Sequence, residues 1–164
     1  MFALLALPWL ALCSWHDLRT RTVPPLLTIP PLLASMAWHG YLESWPVAVL
    51  AMMLLFLDDL PWRWCGILAG IQGLLLAVAW GTNGVLSALL GLTLIGIWAL
   101  WKFGAIGGAD AQVVMVLTLF FGLAILIPVA LATGLQAAIQ KLRGRDTLPA
   151  MLGILAAVGI HTLK

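Results

Sequence analysis

The chain has 164 residues, 63% of them hydrophobic and only 9% charged, with a formal net charge of +2 and a mean hydropathy of +1.11. A soluble domain carries about 25% charged residues, so this composition excludes a water-soluble enzyme and a disordered tail, and eight basic against six acidic residues make no surface for nucleic acid. What remains is an integral membrane protein, all-α, a single polytopic helical bundle over residues 1–164.

Polar residues divide the chain into about eight apolar stretches, roughly 2–15, 23–41, 45–57, 64–80, 84–101, 111–126, 127–140 and 147–163; six or seven crossings are the alternatives. A spanning helix takes about 20 apolar residues and at least about 17, so the shorter runs are half-buried, re-entrant or extended by their flanks. The first run, FALLALPWLALCSW, has no basic residue before it and no small-residue cleavage site after it. Leu12 also stands where a lipoprotein box has a small residue before Cys13. It reads as a retained helix, not a signal peptide. Cys13 and Cys65 form no CxxC pair, so neither a disulfide framework nor a metal site is indicated. Gly66 and Gly70, spaced as GxxxG, and Gly91 and Gly96 read as helix-packing contacts. Within 111–140, Pro128 and Gly134 are the expected positions of a break or kink. Nine tryptophans, many near the ends of apolar runs and including the PWRWC segment, fit an interfacial belt.

The basic residues supply an orientation. With the N-terminus outside, Arg19, Arg21, Arg63, Lys102, Lys141, Arg143 and Arg145 all fall in loops on the cytoplasmic side, and only Lys164 falls outside. That asymmetry is what the positive-inside rule requires.

Ionisable residues near hydrocarbon are costly and therefore functional candidates. Of the six acids, Glu43 falls in a short outer loop, Asp146 among Arg143 and Arg145, and Asp58 and Asp59 in an inner turn before Pro61. Those four read as loop charges or a helix stop. Asp17 ends the first run and opens DLRTRTVPP; its ordinary role is pairing with Arg19 or Arg21. Asp110 follows the glycines of GAIGGADAQVV; its ordinary role is to cap the next helix. Under the orientation above, both lie at the cytoplasmic face, at the ends of different helices.

Two carboxylates at short range share one proton, because both cannot ionise cheaply. The ionised one then takes a proton from water while the protonated one polarises a peptide carbonyl, which is hydrolysis without metal, cofactor or covalent intermediate. Glycines beside Asp110 leave room for an extended substrate backbone. GAIGGAD lacks the Lys-Ser/Thr of a phosphate loop. His16 adjoins Asp17 and can tune it or simply be hydrogen-bonded, whereas His39 and His161 have no ligand spacing, and no Ser–His–Asp triad can be assembled.

DLRTRTVP resembles the first signature of the type IV prepilin peptidase family, GGADAQVV resembles its second, the GxGD motif, and LPAMLGILAAVGI is similar to its closing helix. The resemblance runs in order from about residue 10 to 160. It implies a membrane aspartic endopeptidase that removes basic leader peptides from prepilin-like proteins at the cytoplasmic face of a prokaryotic inner membrane. By motif position it implies Asp17 and Asp110 as the catalytic pair, with Arg19, Arg21, Pro24, Gly107, Gly108 and Gln112 as motif support or substrate-binding positions. Family members that also methylate the new N-terminus carry paired CxxC motifs, and this sequence has none. Three positions depart from the pattern. Gln112 stands where Lys is usual, Ala109 where Gly is, and Pro25 where Asn or Asp is. Losing the Lys removes a cation that holds one Asp ionised, so its restoration is expected to leave activity unchanged or raise it. The competing readings are a small transporter or channel that uses the two acids for a cation or protons, and a catalytically silent assembly component.

Overall fold

The computed structural model describes residues 2–20, 22–42, 44–56, 65–142 and 150–162. Among the described residues the chain is all-helical: α1 Phe2–Thr20, α2 Pro25–Leu42, α3 Trp45–Phe56, α4 Cys65–Asn83, α5 Val85–Lys102, α6 Gly108–Phe121, a 3-10 turn at Leu123–Ile125, α7 Leu126–Leu142 and α8 Ala150–Thr162. Each expected apolar run corresponds to one helix. Arg21, Glu43, Asp58, Asp59, Pro61, Arg63, Arg143, Arg145, Asp146 and Lys164 lie outside the described residues.

Two boundaries differ from the sequence expectation. First, α1 does not end at Asp17 but continues to Thr20. Leu and Arg at positions 18 and 19 are good helix formers, and Thr20 turns its hydroxyl back onto the His16 carbonyl at 2.9 Å. Second, the block 111–140 breaks at Gly122, not at Pro128 or Gly134. Gly122 has φ +72°, a left-handed conformation that glycine adopts without a Cβ penalty. Pro128 falls in the first turn of α7, where its missing N–H has no helical acceptor to serve.

Tandem prolines shape α2. Pro30 and Pro31 lie inside it and bring no N–H, so the carbonyls of Leu26 and Leu27 receive no i+4 helical bond. The indole N–H of Trp9 donates to the Leu27 carbonyl instead, at 2.7 Å. Trp9 is thus an interhelical donor.

The core has two parts that share α6. On one side Ala111, Met115, Val116 and Leu119 pack with Leu32, Leu50, Leu54 and Leu94 of α2, α3 and α5. On the other, Val113 and Leu117 pack with Leu10 and Cys13 of α1 and with Met151 and Ile154 of α8. Residues of α6 are therefore buried on opposite faces, as befits a helix enclosed by its neighbours. Gly91 brings α4 against α5, since a Cβ there would stand 2.7 Å from Leu76 Cδ2. Gly70 and Gly96 do not make the expected packing contacts; both face open space.

Among the described residues one helix, α5 at Val85–Lys102, is long and apolar enough to cross a membrane; α3, α6 and parts of α4 and α7 are apolar but shorter.

Candidate active site

The two carboxylates extend two buried helical stripes. In α1, Asp17 follows Cys13 by four residues and Leu10 by seven; in α6, Asp110 precedes Val113 by three and Leu117 by seven. Those spacings keep residues on one helix face, and Leu10, Cys13, Val113 and Leu117 share one buried cluster. Asp17 closes the stripe where α1 leaves the core, and Asp110 opens it where α6 enters.

The electrostatics agree with that geometry. Both aspartates are half-buried, and Oδ2 of Asp17 is shielded from solvent. Asp110 lies just ahead of the apolar run that begins at Ala111. Burial pushes its carboxyl up to about 6, and the neighbouring charge of Asp17 adds to the rise. Asp110 therefore holds a proton over a pH range in which an ordinary carboxylate has lost it.

Asp110 is not the N-cap that its ordinary role would make it. Gly107 occupies the cap, with φ −68° and ψ 150° and no side-chain capping bond, and Asp110 sits in the first turn. Its carboxylate leans back over Gly107, where a Cβ would stand 3.0 Å from Oδ2. At Gly108 a Cβ would come within 2.9 Å of Trp101 Nε1. The two glycines thus make room for two different groups, the carboxylate and the indole that closes α5 onto the start of α6.

Other motif positions take distinct places. Arg19 is exposed, and Pro24 is half-buried. The Pro24 carbonyl accepts the Leu27 N–H at 2.9 Å as α2 begins. Gln112 faces α2, where the hydroxyl of Thr28 donates to its Oε1 at 2.5 Å. His16 is half-buried next to Asp17. Thr28, which bonds Gln112, and Trp101, which lies against Gly108, border the site and are not singled out by the sequence; Trp9 bonds the Leu27 carbonyl beside Thr28. The proline pair signals that a carbonyl in the first turns of α2 needs an outside donor; nothing local marks Thr28 or Trp101.

Two carboxyl groups at one end of a helical body, one of them retaining its proton up to about pH 6, can activate a water and polarise a carbonyl together. Comparison of the chain with protein-family models, with curated proteins and with solved structures finds no match.

Proposed function

We propose that the chain is a membrane-embedded aspartic endopeptidase of the prepilin peptidase kind. In this reading the helices form a polytopic bundle in the cytoplasmic membrane of a prokaryote, and the enzyme cleaves basic leaders from prepilin-like substrates at the cytoplasmic face. The carrying observation is that Asp17 and Asp110 extend stripes of one buried cluster, and that the charge of Asp17 adds to the rise that burial gives the Asp110 carboxyl. The ionised carboxylate removes a proton from water as the oxygen attacks the scissile carbonyl. The protonated partner hydrogen-bonds the carbonyl oxygen as it gains charge, and a proton then passes to the departing amine.

The membrane reading draws on composition and on what faces outward. Ile127, Leu131, Leu135 and Ile139 form an exposed stripe on α7, and Val85, Leu89, Leu92 and Leu100 are exposed along α5. Apolar stripes of this extent on a soluble monomer would need covering. The position of both acids at helix ends favours hydrolysis over transport, which would draw on acids at mid-membrane depth.

The test is co-expression with an epitope-tagged prepilin and a gel-shift assay for leader removal, with carbonate-washed membranes probed for the chain. Leader loss that depends on both aspartates supports the proposal. An uncleaved prepilin beside an abundant, membrane-inserted protein refutes it.

A further inference from the structure

The first turns of α2 touch both helices that carry the aspartates. Toward α1, the Leu27 carbonyl, left without a helical donor by Pro31, accepts the Trp9 indole N–H at 2.7 Å. Toward α6, Thr28, only 1% exposed, donates from Oγ1 to Gln112 Oε1 at 2.5 Å. Leu27 and Thr28 are adjacent, so one turn of backbone links the two bonds.

We propose that this turn is a bracket that fixes the spacing of Asp17 and Asp110, with Trp9 and Thr28 as positioning residues. The inference rests on the two-aspartate reading and deepens it. The apolar cluster that joins α1 and α6 through α8 is non-directional and leaves each helix free to rotate slightly. A buried hydrogen bond is directional and removes that freedom. Gln112 is two residues beyond Asp110, about 200° around a helix of 3.6 residues per turn. The two side chains therefore point to opposite sides of α6, Gln112 toward α2 and Asp110 along the stripe shared with α1. A rotation that freed Gln112 from Thr28 would swing Asp110 away from Asp17. The hydroxyl does not need Gln112 for its own satisfaction, because the Pro25 carbonyl lies 3.3 Å away. What the longer-range bond adds is orientation.

The experiment compares wild type, Thr28→Val, Thr28→Ser and Trp9→Phe in detergent, each checked for unchanged helicity. Two quantities are read: the prepilin cleavage rate, and the titration midpoint of Asp110 from carboxyl-13C aspartate labelling, with the signal assigned by its loss in Asp110→Asn. Thr28→Val is expected to lower cleavage about tenfold to a hundredfold, the usual consequence of a small misplacement. Its Asp110 midpoint should fall below about 6 as the contribution of Asp17 is lost, with burial still holding it above an ordinary carboxylate, and Thr28→Ser should restore both. If Thr28→Val does not fold, Trp9→Phe, which keeps an aromatic ring in place, makes the same comparison. A midpoint unmoved in the folded variants overturns the bracket, whether or not cleavage is lost. A midpoint that moves in a protein that cleaves no prepilin leaves the bracket standing and removes the peptidase reading.

Discussion

Gly107 lies directly against the carboxylate of Asp110: a Cβ at position 107 would stand 3.0 Å from Oδ2. The backbone there is extended, with φ −68°, a conformation open to any residue. The glycine is needed for space, not for conformational freedom. Gly107→Ala should therefore displace the carboxylate and lower cleavage about tenfold or more, at a stability cost of about 1 kcal/mol for the altered cap. Cleavage rate and thermal midpoint measured on one preparation separate the two effects. Wild-type cleavage by Gly107→Ala would remove the steric role.

Asp17→Asn and Asp110→Asn keep shape and remove proton chemistry. Each alone should abolish leader cleavage, because acid and base act as one unit. Both variants should insert and fold, since neither carboxylate supplies the cap of α6, which belongs to Gly107. Loss of folding in both would return the two residues to structural roles.

The activity should depend on pH as a pair of coupled carboxyls does, with two macroscopic midpoints. The single shared proton is lost as pH rises through about 6, and a second is gained on the acid side. Cleavage should peak between these limits and decline above pH 6. A rate that stays level from acid to neutral pH argues against two carboxyls.

Stability should follow the same proton with a definite sign. The Asp110 midpoint is about 6 in the folded protein and about 3.9 in an unfolded chain, so the folded state binds the proton more tightly. Between those values the folded state loses stability as pH rises, and above them the buried charge is a standing cost. Asp110→Asn should melt at a higher temperature than wild type at neutral pH, and the gap should close below about pH 4. Tryptophan fluorescence melts across pH would reveal it. A gap independent of pH would assign the effect to packing.

Gln112→Lys reverses the expectation drawn from sequence. The motif comparison suggests a neutral or favourable change, but Gln112 accepts a hydrogen bond from the buried Thr28. A lysine cannot accept one and would bring an ammonium into that contact. Activity should fall, and Gln112→Glu, which keeps an acceptor, should be the milder change. Comparing the two cleavage rates with wild type decides between motif and contact.

The sequence by itself determines that the described residues are all-helical and roughly where the helices lie, because long apolar runs are set apart by polar or glycine-bearing stretches. It also singles out Asp17 and Asp110, since acids at the edges of apolar runs are costly enough to need a reason. Tertiary structure decided the rest. The break at Gly122 rather than Pro128 depends on where the first turn of α7 falls, and the need for a residue without a Cβ at position 108 depends on where α5 sets Trp101. The Trp9 and Thr28 bonds join residues 18 and 84 positions apart in the chain, so no local spacing encodes them. Proximity of the two carboxylates belongs with these. Helical periodicity puts each on a face, but only the buried cluster that α1 and α6 share with α8 brings those faces together.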